Sequence, residues 1–330
     1  MKIIRIKSIA ILLLILLPLV IVAGLRPIGI DHDSLTYASV LSVPFGEFSF
    51  YDKEPFFWII VYINQIIFPG NAQTFFLIFA LFGVSLKLYA VKQLSLFPIL
   101  SYISYILLYF ILHEMTQIRA GVAAAIFLLA IPDVVNKNFK YFFIKTILAF
   151  SFHYSAIFMF LVYFFNPSSF QRIFYFVFPI FGMALAFLKS YTLILFNVFV
   201  NLFPAFISDK LNVYLILLGE GQYSDINIFN FYYLSILMFY FLLVVNYRML
   251  KSKYDLVFLK ILGLSLFLYY ALSAVPVFAI RISELFGVVL ILLIPHALFL
   301  FKQKFIVSIP IAVWMIVYFL TIMIGRNLRM

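Results

Sequence analysis

The chain has 330 residues, 66% of them hydrophobic, only 11% charged and none of them cysteine. Soluble domains carry about 45–50% apolar and about 25% charged residues, and a mean hydropathy of +1.17 lies far outside that range. Cytosolic enzymes, secreted domains and disordered tails are excluded, as are disulfides and thiolate metal sites. The excess of 23 Lys and Arg over 12 Asp and Glu gives +11, which reads as basic cytoplasmic loops rather than as a nucleic-acid surface. The apolar runs are continuous rather than alternating, which excludes a β-barrel. The expected fold is an all-α, polytopic helical membrane protein, one integral domain over 1–330.

The N-terminus carries Lys2, Arg5 and Lys7 before an apolar run from Ser8 to Gly24. That order places this end in the cytoplasm. No small-residue cleavage site follows, so the run is expected to be a retained first helix and not a signal peptide. The stretch 26–54 is the most polar of the chain. It holds Asp31, Asp33, Glu47, Asp52 and Glu54 against Arg26 and Lys53, and is expected to be a loop on the outer, periplasmic face.

Twelve further apolar runs follow, at 55–69, 73–91, 97–112, 118–132, 139–152, 154–166, 172–188, 190–206, 226–247, 255–274, 281–300 and 305–325. Basic clusters at Lys137, Lys140 and Lys145, at Arg248, Lys251 and Lys253, and at Lys302 and Lys304 mark cytoplasmic loops. A second outer-face loop is expected at 207–225, where Asp209, Glu220 and Asp225 oppose Lys210. The assignment does not close if every run spans, because Lys87 and Lys92 would then lie outside. Runs 55–69 and 190–206 are short enough to be interfacial or re-entrant, which leaves about eleven crossings at roughly 20 residues each.

An ionisable group in hydrocarbon costs several kcal/mol, so charged residues beside the apolar runs are the informative ones. Arg26-Pro-Ile-Gly-Ile-Asp31-His-Asp33-Ser-Leu-Thr-Tyr37 offers a phosphate grip and acceptors for sugar hydroxyls, or else a solvated loop with an Asp helix cap. Lys53-Glu54-Pro55 is a good helix start, and Glu54 at the boundary also suits a general base or a sugar ligand. Arg119, after His113-Glu114-Met-Thr-Gln117-Ile, opens an Ala-rich helix. A cation there opposes the helix dipole, so an anionic partner is expected. His153, in Ser-Phe-His-Tyr-Ser-Ala, interrupts an apolar region and is either a base or a packing residue. Arg281 and Glu284 stand three apart on one helix face, where they form an internal pair or present an anion site. Lys260 and His296 read as interfacial or snorkelling groups. Four scattered histidines make no metal signature. Asp31-x-Asp33 is a weak cation pair at best, and no cofactor is expected.

Taken in order, these places resemble the bacterial polysaccharide repeat-unit polymerases, the Wzy-type and in particular the EpsG-like family. The resemblance rests on Arg26, Gly29, Asp33 and Tyr37, on Glu54-Pro55, on Ile118-Arg119, on Phe152-His153 with Ser155-Ala156, and on Arg281 with Glu284. Ser34 and Ala120 depart from it, where the family often has Tyr after the loop Asp and Gln after the Ile-Arg pair. The resemblance implies a GT-C-like integral membrane glycosyltransferase in the bacterial inner membrane, with its site facing the periplasm. Its donor and acceptor would be glycans on undecaprenyl diphosphate. Membrane lipid, a chain-length regulator and a flippase are the implied partners, with no nucleic acid. His153, Glu54 and Arg119 are then the catalytic candidates, with Arg119 and Arg281 at the diphosphate. Arg26, Asp31, Asp33, Tyr37, Arg281 and Glu284 are the substrate-binding candidates. A flippase or transporter and a glycan ligase are the alternatives. A transporter should show repeat symmetry and mid-membrane charges, whereas these candidates cluster at outer helix ends.

Overall fold

The computed structural model describes residues 9–49, 53–202, 205–221 and 225–327. Lys2, Arg5, Lys7 and Asp52, used above for orientation, lie outside the described residues. No strand occurs among the described residues. The helices are α1 (Ile9–Gly24), α2 (His32–Val40), α3 (Pro55–Ile67), α4 (Ala72–Leu94), α5 (Pro98–Tyr105), α6 (Ile118–Val135), α7 (Phe139–Phe152) and α8 (Phe160–Tyr163). They continue with α9 (Arg172–Ala186), α10 (Lys189–Val200), α11 (Ala205–Gly219), α12 (Phe231–Val245), α13 (Asp255–Ala271), α14 (Pro276–Gly287), α15 (Leu290–Ala297) and α16 (Lys304–Asn327).

The starts of these helices follow from local chemistry. Pro55, Pro98 and Pro276 occupy first-turn positions, where the missing N–H is not needed. Asp31, Asn71 and Asn230 cap α2, α4 and α12 by accepting from the backbone N–H three residues on. The expected outer loop 26–54 therefore contains a capped helix, α2, and the second expected loop, 207–225, is helical as far as Gly219.

Among the described residues, four helical stretches are long and apolar enough to cross a membrane: Ala72–Leu94, Pro98–Thr116, Ile118–Val135 and Phe305–Met323. Two bent pairs raise the count to six if each is one span: α9 with α10, bent by 98°, and α14 with α15, bent by 50°. The expectation of about eleven crossings counts apolar runs, and several of those runs form helices of only 10–17 residues or break at a bend. The two runs expected to be interfacial or re-entrant are among these, as the 13-residue α3 and the sharply turned α10.

The core lies where α6 packs on α4 and α7, and where α13 packs on α9 and α14. α5 runs without interruption into a π-helix, Ile106–Thr116. It ends with the Gln117 N–H donating to the Leu112 carbonyl at 2.7 Å, a five-residue step. Such windings are rare and usually limited to one turn. A buried ion pair holds this one in place. Lys87 of α4 donates to Glu114 Oε1 at 2.6 Å and to the Gly121 carbonyl at 2.7 Å, and the Tyr105 hydroxyl donates to the same carboxylate at 2.8 Å. Both charged side chains are shut off from solvent. A Cβ on Gly83 would stand 2.0 Å from Glu114 Oε2, and one on Gly121 2.2 Å from the His113 carbonyl. Gly121 is needed for α6 to pass the His113 backbone this closely, and Gly83 leaves the space that the Glu114 carboxylate occupies.

Lys87 is thus no marker of membrane side, which removes one of the two residues behind the parity conflict. Lys260 and His296 are also core residues rather than snorkelling ones. Lys260 donates to the carbonyls of Asn166 and Ser169, both at 2.5 Å. His296 meets Asp255 at 2.6 Å and accepts from the Leu96 N–H at 2.8 Å. Lys87, Lys260 and His296 each find partners that loop-charge counting does not see.

Breaking a buried pair by removing one member costs about 3–5 kcal/mol, because the other charge is stranded. Lys87→Met should therefore lower the melting temperature of the purified protein sharply. Lys87→Met combined with Glu114→Gln should recover most of the loss. A single variant that melts like the wild type would show that the pair does not hold the π-helix.

Candidate active site

The site is assembled around Glu54, the residue that caps α3. Its side chain makes no cap hydrogen bond. Oε2 instead accepts from Arg119 Nη1. Oε1 meets His153 Nδ1 at 3.1 Å and accepts weakly from the Tyr154 N–H at 3.4 Å. Glu54 is 1% exposed, so its charge depends on these partners.

Arg119 is the second residue of α6, and its guanidinium lies over the Tyr37 and Phe57 rings at 5.9 and 5.5 Å. The anion required by a cation at a helix start is supplied by the chain itself, as Glu54. Arg119 Nε is buried without a hydrogen-bond partner. His153 sits at the break that ends α7, with an extended backbone (φ −155°, ψ 121°). An ionised carboxylate only accepts, so Nδ1 carries the proton. Nε2 then holds the lone pair, and it is buried without a partner. Burial lowers the His153 imidazole below its ordinary value, against the bond to Glu54. The neutral form, with a bare Nε2, is favoured at neutral pH. Burial raises the Tyr37 phenol, with Arg119 pulling the other way, so Tyr37 remains a donor.

Tyr37, Arg119 and His153 face a cavity of about 140 Å³, lined also by Asp33, Thr36, Lys53, Gln117, Ala120 and Arg281, with Glu54 behind Arg119 and His153. Sequence-predicted candidates from five separate stretches thus converge: Asp33 and Tyr37, Glu54, Arg119, His153, and Arg281. Glu284 accepts from Gln117 Nε2 at 2.9 Å and lines an adjoining groove that shares Gln117 and Arg281 with the cavity.

Arg26 and Asp31 are not among the lining residues. Arg26 is 2% exposed, donates to the Ala23 carbonyl at 2.6 Å, lies 3.8 Å over the Phe76 ring and faces Asp31 at 3.5 Å. Asp31 also caps α2 through the Ser34 N–H at 2.8 Å. The two acids of Asp31-x-Asp33 therefore have separate surroundings. Among the described residues, no group of three His, Asp or Glu side chains is placed to hold a metal ion.

Lys53 and Gln117 belong to the cavity but were not assigned to it from sequence. Both stood inside the motifs already quoted, next to Glu54 and two before Arg119, and adjacency was the only available signal.

The model of the EpsG family matches residues 9–328, nearly the whole chain. No curated protein and no solved structure matches it.

The tautomer of His153 is directly measurable. Nitrogen-15 spectra of the histidine-labelled protein, assigned with His153→Gln, should show a protonated Nδ1 and a bare Nε2. Glu54→Ala should abolish that preference. A proton resident on Nε2 in the unaltered protein would overturn the assignment.

Proposed function

The chain belongs to the EpsG family, and we propose that it is a glycosyltransferase that joins oligosaccharide repeat units carried on undecaprenyl diphosphate, at the periplasmic face of the inner membrane. A polysaccharide-polymerase role follows from the family, and the specific reaction is this reading. The observation that carries it is the Glu54–His153–Arg119 constellation on a cavity with a bare imidazole nitrogen and a second arginine.

In this reading the acceptor hydroxyl gives its proton to His153 Nε2 as its oxygen bonds to the anomeric carbon of the donor. The bond from that carbon to the diphosphate breaks, and the electron pair leaves with the lipid diphosphate. Arg119 and Arg281 meet the developing negative charge, where preorganised cations act most strongly. Glu54 has both oxygens engaged, so it orients His153 and Arg119 rather than acting as the base. Asp33, Tyr37 and Lys53 hold sugar hydroxyls or phosphate oxygens at the rim. Arg26 and Asp31 serve by fixing α2 behind Tyr37. The wider membrane architecture of this reading, with a GT-C-like fold and more crossings than the long helices alone supply, gives the lipid tails an apolar route.

The size ladder of the cell's glycan tests the chemistry. Removing general acid–base help costs about 10²–10⁴-fold. His153→Asn and Arg119→Ala should therefore leave single repeat units on the carrier or final acceptor, with protein abundance intact. Arg119→Lys should rescue poorly, because a point charge lacks the planar fork. A full-length ladder from His153→Asn would return His153 to a packing role. Loss of single units as well would point to a flippase or ligase.

Orientation has its own test, helped by the absence of native cysteine. An impermeant thiol reagent should label Ser42→Cys in intact spheroplasts and spare Gln303→Cys. Both positions are exposed. The reverse pattern would place the cavity on the cytoplasmic side.

A further inference from the structure

Beyond the small cavity lies a groove of about 590 Å³ with a different character. It is walled by α12, α13, α14 and α16, and its side chains include Tyr232, Tyr233, Tyr269, Tyr318, Asn230 and Glu284. The rings are ordered by stacking. Tyr233 lies on Tyr269 at 3.3 Å between centroids, and Tyr232 lies on Tyr318 at 4.0 Å, nearly parallel to Trp314 at 5.9 Å. Polar tips are tied at the edges: Tyr233 to Ser283 at 2.7 Å, and Asn230 to the Tyr269 hydroxyl at 2.6 Å.

The charge also differs between the two spaces. The small cavity is lined by three cations, Lys53, Arg119 and Arg281, with the neutral His153 and one acid, Asp33, and a second acid, Glu54, stands behind Arg119 and His153. The groove sets Asp225 and Glu284 against Arg281, with Asp225 paired to Lys189. A diphosphate suits the first and finds no cationic cluster in the second. A surface of aromatic rings, amides and a carboxylate suits a neutral, hydroxyl-rich ring, which offers apolar C–H faces to tyrosine and hydroxyls to Asn230 and Glu284. The volume falls within the roughly 300–1,000 Å³ of ligand pockets, and the small cavity is far below it.

We infer that this groove is a sugar subsite: it binds a neutral sugar ring of the lipid-linked glycan while the phosphate stays beyond Gln117 and Arg281 in the cationic cavity. The inference rests on the polymerase reading and adds residues to it. Tyr232, Tyr318 and Glu284 set which repeat unit is accepted, and Gln117, bonded to Glu284, couples the subsite to the start of α6.

Trp314 is one of only two tryptophans in the chain, and its place beside Tyr232 makes it a reporter. The probe is the cell's own repeat-unit oligosaccharide, released from its lipid and stripped of phosphate, added to the purified full chain. It should change tryptophan fluorescence saturably, and the change should vanish in Trp314→Phe. Inorganic diphosphate should have no such effect. Tyr318→Leu, on the largely unburied α16, and Glu284→Gln should each raise the half-saturating concentration about tenfold, while Tyr318→Phe should stay near wild type.

Loss of the response on truncating the non-reducing end of the oligosaccharide would put the accepting sugar in the groove. Loss on truncating the reducing end would put the donor sugar there. A response to diphosphate alone, or saccharide binding indifferent to both variants, would overturn the subsite. So would a groove silent to saccharide in a protein whose ladder still depends on Arg119 and His153, and the polymerase reading would then stand. Saccharide binding in a protein whose ladder ignores those residues would spare the subsite and remove the reading.

Discussion

A carboxylate taken out of water must be met by cations or donors, and Glu54 meets this constraint with groups 65 and 99 residues away. That requirement draws three segments to one point: the start of α3, the start of α6 and the break after α7. Each segment ends there for its own local reason. Pro55 opens α3, the π-helix delivers the chain to Arg119, and the extended backbone at His153 stops α7. One carboxylate thereby fixes the position of a guanidinium and the tautomer of an imidazole. Its two oxygens are divided between them, which leaves Glu54 as an organiser.

Much of this site was legible in the sequence, because in an apolar chain each charged residue beside a run is conspicuous. Asp33, Tyr37, Glu54, Arg119, His153 and Arg281 were all singled out, and the structure gathers them. Which of them pair was not legible, since sequence separation hides spatial contact. His153 lacked an acid in its neighbourhood on the chain, yet Glu54 lies against its ring. Arg26 and Asp31 were conspicuous for the same reason and turned out to be occupied with one another and with α2. The groove tyrosines were missed for the opposite reason. In a chain with 22 Tyr and 44 Phe, no single ring stands out, and only the meeting of α12, α13 and α16 makes four of them a surface.

Helix placement was the easiest part to read and helix count the hardest. Apolar runs mark where helices form but not where they bend. The break between α14 and α15 occurs inside a stretch of unbroken hydrophobicity, and the turn between α9 and α10 is marked only by a single charge, Lys189, between two apolar runs. Loop-charge counting failed at Lys87 for a related reason. The rule concerns charges held in water at a membrane surface, and Lys87 is held inside the protein by a carbonyl and by Glu114, to which Tyr105 also donates.

The π-helix from Ile106 to Thr116 ties the site to the number of residues as much as to their kind. Each side chain along it is set by a five-residue step, and the last step, from Leu112 to Gln117, hands the chain over to Arg119. The apolar residues within it are exchangeable so long as their volume is kept. Removing one residue lets the winding relax toward an ordinary helix, because a π turn holds one residue more than an α turn. The tighter winding takes up the missing residue, and what is lost is the wide step from Leu112 to Gln117 itself. Length within this segment is accordingly recorded in the winding, as composition is not.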